Sequence, residues 1–252
     1  MISGLPFDAT AFLILFARVG AVLMLLPVFS EDAIPGRIRL MLGLGFTAGL
    51  FGLLDGQVTP VMQSDRALPG IIISELLVGL AMGMIVRILF AAAAMAGSMV
   101  SLQVGLSSAL IFDASMGGQS PLLARFVSVA AAVMCLAMGV HHLWIASIVQ
   151  SYTVFPVGGL PPGEDFARLA VTVTGQAMAL ALSLAAPLIV YGILFNVALG
   201  LAARMAPAIQ VFFITQPLNI LLGLALFAVV LGTALTTFAN AMATFMQNGW
   251  SL

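Results

Sequence analysis

From Gly70 to Phe112 the chain carries only two charged side chains, Glu75 and Arg87. A run of that length and apolarity rules out most of what a chain can become. About 20 apolar residues in a helix already cross the ~30 Å hydrocarbon core of a bilayer. In that medium backbone N–H and C=O groups must be satisfied inside the segment, which a helix does and an open sheet edge does not. Five further apolar regions lie near residues 9–29, 38–54, 122–150, 168–203 and 208–247. With 62% apolar and 7% charged residues overall, the sequence is far from soluble globular composition. The fold class is therefore an all-α membrane-associated protein of about six long hydrophobic helices. No polar stretch is long enough for a separate soluble catalytic domain, so one integrated unit is expected.

Several regions fit a simple span badly. The second is short and glycine-rich, the third and sixth are too long, and Pro187 and Pro217 fall inside the fifth and sixth. Proline removes a backbone donor and clashes with the preceding turn, so kinked or broken helices are expected. Such breaks are tolerated at membrane depth only where protein or a water-filled cavity satisfies the freed groups. The connectors "SEDAIPGRIR", "LLDGQVTPVMQSDRALPG" and "FPVGGLPPGEDFAR" mix charge with Pro and Gly, as polar turns do.

Charge inside the apolar regions costs about 2.5–3.5 kcal/mol per residue at a helix centre, so Arg18 and Arg87 are expected to face protein or water. Glu75 follows Pro69 and Gly70 closely, a position from which a carboxylate complements a helix N-terminus. It does not pair with Arg87, because twelve residues along a helix rotate the two apart by about 120°. Arg18, Arg37, Glu75, Arg87 and Arg204 are the candidate inter-helix or subunit contacts. Gly45 with Gly49, and Gly79 with Gly83, have the four-residue spacing that lets helices approach closely.

Chemistry is scarce. All eight basic residues are arginine and nine acids offset them, so no basic run can follow a phosphate backbone, and nucleic acid is not an expected partner. Cys135, the only cysteine, reads as a small buried side chain. The first residues lack a basic segment and include Asp8, unlike a cleaved signal peptide. His141 and His142 are the only histidines and have no nearby carboxylate or thiol to complete a metal shell; a structural or headgroup-level role beside Trp144 fits better. "GLSS" at 105–108 lacks the second glycine of a serine nucleophile turn. There is no phosphate-binding loop, paired carboxylate or HExxH. The expectation is a protein that is not an enzyme and has no cofactor and no metal.

A channel, a carrier or an assembly subunit remains. Broken helices around a polar centre suit a small-molecule secondary transporter, although residues 1–112 and 120–252 show no repeat. The polar centre itself is "LQVGLSSALIFDASMGGQSPLLARF", residues 102–126. Gln103 and Ser107, one helical turn apart, put a polar stripe on the end of the third region. Asp113 ends the apolar run, Gly117 and Gly118 free the backbone, and Ser120 before Pro121 reads as the cap and first residue of the next helix. Leu106, Leu110, Ile111, Phe112 and Met116 are apolar groups on or beside this segment, and methionine adapts to irregular surroundings. On the residues alone an ordinary helix–helix connector is the favoured reading of the segment.

"DAIPGRIRLMLG" (32–43), "QVGLSSALIFDASMGGQSPLLAR" (103–125), "HLWIASIV" (142–149) before "FPVG" (155–158), and "NVALGLAARMAPAIQVFFITQPL" (196–218) resemble, in order and over nearly the whole chain, the FliR/SctT family of type III export-gate proteins, its flagellar branch above all. The C-terminal part also looks like the FliQ helical hairpin, with Ala-Ala-Pro after an Ala/Leu stretch and a polar, proline-ended turn before the second helix. The resemblance implies a FliP-like part, residues 1–165, fused to a FliQ-like hairpin, residues 166–252. It further implies a structural and gating subunit that, with FliP and FliQ, forms the channel through which unfolded flagellar proteins leave. FlhB, FlhA and membrane lipid are further implied partners. The implied location is the bacterial inner membrane, in the flagellar basal body, with much of the gate raised toward the periplasm. Residues of about 106–120 resemble the loop that plugs the pore: Gln103, Leu106, Ser107, Leu110, Ile111, Phe112, Asp113, Met116, Gly117 and Gly118. Ala114 stands where the family often has proline, which leaves the loop less rigid there. The injectisome version of the gate differs in what is secreted.

Overall fold

A computed structural model describes residues 7–29, 34–62, 68–106, 122–160, 163–205 and 211–248. Among these residues there are seven helices and no strand: α1 (Phe7–Leu25), α2 (Gly36–Met62), α3 (Leu68–Val104), α4 (Leu122–Ala137), α5 (Val140–Val154), α6 (Gly163–Met205) and α7 (Val211–Asn248). Among the described residues, each of the six apolar regions of the sequence contributes helix. The break falls in the fourth region, where Gly139 adopts φ 76°, a left-handed conformation that separates α4 from α5. The prolines do not end their helices. Pro187 lies inside the 43 residues of α6 and Pro217 inside the 38 of α7. Pro217, at the end of the polar turn that the FliQ resemblance implies, thus lies inside α7.

The described chain divides into two compact units. The first comprises residues 1–89, 139–174 and 244–252, the second residues 90–138 and 175–243. In the first, α1 is too short to be a comfortable span and is buried almost all round, from Ala11 through Leu23, as a helix apolar on every side should be. It packs with α2, α3 and α5 around Ile14, Leu15, Leu54, Val58, Ile71 and Tyr152. Its contact with α3 depends on Gly79 and Gly83: a Cβ at Gly79 would lie 2.7 Å from the Arg18 carbonyl, and one at Gly83 2.7 Å from Leu25 Cβ. Gly45 and Gly49 have the same spacing, yet no atom lies within 4 Å of where their Cβ would be.

In the second unit, Gly97 brings α3 onto the backbone of α4, with Ala124 Cα 2.6 Å from where a Cβ would sit. Phe90 meets Phe238 edge-on at 5.4 Å, and Phe126 meets Phe227 at 6.3 Å. Four helices are long and apolar enough to cross a membrane, five if α4 and α5 count as one span. They are unequally covered. The most apolar window of α3 is 56% buried, against 17% for α2, 22% for α6 and 17% for α7. Val190, Ile193, Leu194, Val197 and Leu201 on α6, with Leu221 and Val229 on α7, are exposed, an apolar surface that needs lipid or another chain to cover it.

Candidate functional site

The apolar interior contains two polar centres, one in each unit. The first is charged. Arg18 and Glu75 both have zero exposure, and Gly79 on α3 lets α1 come close enough for them to meet. Arg18 Nε donates to Glu75 Oε2 at 2.7 Å and Nη2 donates to Oε1 at 2.9 Å, the two-pronged geometry that a planar guanidinium offers a carboxylate. Nη1 donates to the Phe155 carbonyl at 3.0 Å and to Ser151 Oγ at 3.3 Å. Glu75 Oε1 also accepts from the Gly158 amide at 3.0 Å. The Tyr152 ring lies 4.1 Å from the guanidinium carbon, a cation–π contact.

The expectation that Glu75 complements a helix N-terminus is thus corrected. Helix α3 begins at Leu68 with no acid in its first turn, and the Glu75 carboxylate faces Arg18 and the turn after α5. The network is closed, with both charges satisfied internally, and offers no exposed group to a substrate. Beside it is a cavity of about 380 Å³ lined by Met82, Gln150, Ser151, Phe155, Met246 and Gln247 among others, none of them titratable.

The second centre is neutral and lies at the end of α3. Helix ends leave carbonyls without intrahelical partners, and here three in succession receive side-chain donors from α7. Asn219 Nδ2 donates to the carbonyls of Gln103 at 3.3 Å and Val104 at 3.2 Å, and Gln216 Nε2 donates to that of Gly105 at 3.3 Å. Tyr191 on α6 donates to Asn219 Oδ1 at 2.9 Å, which turns the Asn219 amino group toward α3. Gly105 has φ 83°, and a Cβ there would lie 2.6 Å from Gln216 Nε2. Gly192 accommodates the Gln103 side chain, and Gly223 accommodates Val104, whose Cγ2 would be 2.8 Å from a Cβ.

Of the loop residues expected from sequence, Gln103 and Leu106 are half-buried at this α3 end. Ser107, Leu110, Ile111, Phe112, Asp113, Met116, Gly117 and Gly118 lie outside the described residues. Arg37, Arg87 and Arg204 are exposed. Arg204 falls in the last turn of α6, where a cation complements the helix dipole. His141 and His142 stack at 4.0 Å, and no group of three potential metal ligands occurs among the described residues. Sequence reasoning missed Tyr191, Gln216 and Asn219 as site residues. The signal was present in two amides one turn apart within an apolar region, but the FliQ resemblance implied a turn up to Pro217.

Comparison with known proteins places this geometry in context. Residues 9–245 match the family model described as bacterial export proteins, family 1. The chain is 41% identical over 228 residues to the flagellar biosynthetic protein FliR of Caulobacter vibrioides, covering 88% of this chain and 91% of that one. It is 35% identical over 216 residues to the FliR of Escherichia coli, covering 85% and 81%. Over 240 residues it is 28% identical to the FliR of Bacillus subtilis, covering 94% and 92%.

Proposed function

The chain belongs to the bacterial export proteins of family 1, the family of the flagellar FliR proteins, and from that premise we propose that it is a membrane subunit of the flagellar protein export gate. The observation that carries this reading is the match itself, which runs from residue 9 to 245. In this reading the chain assembles with FliP and FliQ into the channel that unfolded flagellar proteins traverse, alongside FlhB and FlhA. The assembly lies in the inner membrane at the flagellar basal body, with much of the gate raised toward the periplasm. A FliP-like part, residues 1–165, is continuous with a FliQ-like part, residues 166–252. The exposed apolar faces of α2, α6 and α7 supply the surface that such partners or lipid would cover.

Within that gate, residues of about 106–120 form the plug. A polar helix end at Gln103, apolar groups from Leu106 to Met116, and the Gly117–Gly118 pair suit a segment that blocks ions yet yields to a polypeptide. The energy of export comes from other components, and this subunit performs no catalysis. The carrier alternative has less support: it needs a titratable group that substrate or ion can reach, and the Glu75 carboxylate is held by Arg18 at zero exposure. The flagellar relatives favour flagellar over injectisome substrates.

Co-expression with FliP- and FliQ-like partners tests the assignment. A single purified complex containing all three chains is the expected result; a stable, freestanding monomer that ignores both partners would refute it.

A further inference from the structure

We infer that Asn219, Gln216 and Tyr191 are positioning residues for the gate: together they form an amide clamp that fixes the last turn of α3 and with it the root of the central loop. The functional meaning of the clamp rests on the reading of residues 106–120 as a plug, but its geometry lies entirely in described residues of one unit.

Three observations carry the inference. The first is economy of donors. The side chains of Asn219 and Gln216 together reach three consecutive carbonyls, those of Gln103, Val104 and Gly105, at the point where backbone pairing within α3 runs out. Only a short turn from the Gly105 amide to the Leu102 carbonyl remains, at 3.2 Å. The second is orientation. A carboxamide presents an acceptor on one side and donors on the other. Because Tyr191 occupies Asn219 Oδ1, the donors face α3. Asn219 is itself 8% exposed, so a lost bond is poorly replaced by water.

The third is register. Gly105, Gly192 and Gly223 each lack space for a Cβ against Gln216, Gln103 and Val104 respectively. The turn therefore sits in one position, not in a family of neighbouring ones. Contacts this close along an apolar segment would be expected for packing alone, but packing does not need two carboxamides directed at one helix end and a hydroxyl bonded to one of them. The clamp bonds are neutral and 3.2–3.3 Å long, weaker than the charged bonds of the Arg18 network. A helix end held this way is fixed at rest yet releasable at modest cost, as a loop root next to a passing polypeptide must be.

The test uses the full chain assembled with its FliP- and FliQ-like partners, carrying a nitroxide at Leu106→Cys with Cys135→Ala so that one thiol remains. In this background the label is expected to be immobile. Asn219→Leu keeps the volume and removes the donors, and it should raise the mobile fraction about 5- to 30-fold, the ratio that one or two net hydrogen bonds set. Tyr191→Phe removes one hydroxyl and almost no volume. It should shift the spectrum in the same direction by less, and it keeps the test informative if Asn219→Leu fails to assemble. A residue that matters only for stability would lower the yield of assembled gate without mobilising the label in what assembles. Unchanged spectra in assembled variants overturn the clamp. The ion leak of a gate lacking residues 113–120 reads the plug separately: an unchanged leak there refutes the plug, while the label still judges the clamp.

Discussion

In the first unit the polar centre is charged and closed, with Arg18 and Glu75 satisfying each other and drawing in Ser151, the Phe155 carbonyl and the Gly158 amide. In the second it is neutral and directed at a helix end, with the amides of Gln216 and Asn219 on the carbonyls of residues 103–105. The physical demand is the same in both, since an unpaired polar group in an apolar interior is expensive. The consequences differ. An ion pair buried at zero exposure tolerates no half-measures, because losing one partner strands the other charge. A neutral clamp loses its bonds one at a time. The first arrangement ties helices permanently, and the second leaves a helix end that can be released.

The largest effect should come from breaking the closed pair. Glu75→Ala leaves a buried guanidinium uncompensated and should destabilise the chain by about 3–5 kcal/mol, seen as a lowered thermal midpoint in detergent and loss of folded protein. The double replacement Arg18→Met with Glu75→Leu should recover most of that loss, and a double variant as unstable as Glu75→Ala would mean that the pair does more than satisfy itself. Next comes the glycine comparison. Gly79→Leu forces a side chain into the Arg18 carbonyl and should cost at least about 1–3 kcal/mol, whereas a Cβ at Gly45 meets no atom within 4 Å, so Gly45→Ala should leave the midpoint of the isolated chain nearly unchanged and Gly45→Leu should cost far less than Gly79→Leu. If Gly45→Leu nevertheless abolishes co-purification with partner chains, its face is a subunit contact.

Tyr191→Phe should lower stability by only about 1 kcal/mol, far less than Glu75→Ala, and equal losses would erase the distinction drawn between the two centres. Smallest of all is Arg168→Ala. Its pairing with Glu164 at 2.6 Å is four-fifths exposed, so the change should stay within about 0.5 kcal/mol.

The helices were legible because apolar length alone demands them in lipid, and among the described residues each apolar region contributes helix. Their breaks were not. Pro187 and Pro217 promised kinks or breaks, yet both lie inside continuous helices, while the left-handed Gly139 stands between two helices bent by 76°, because a single proline removes only one bond from a long helix. The charged centre was half legible. Arg18 stood out as a charge needing a partner and Glu75 read as a helix N-terminal acid, but their pairing spans 57 positions, and helical rotation within one segment says nothing about pairing between segments. Gly79 and Gly45 show the same limit, since identical spacing gave one tight contact and one open face. For the neutral centre, the Gln103 end was read as polar. Its partners were hidden because Thr215, Gln216 and Pro217, in the second turn of α7, look like the end of a turn until their neighbours are known.

In the function proposed above, the middle segment of this chain seals an export channel. The most direct measurement is the ion leak of the gate assembled with its FliP- and FliQ-like partners, with and without residues 113–120. A clear rise in leak on deletion, with assembly intact, is the result expected. An intact, correctly composed gate that leaks no more than its parent would contradict it.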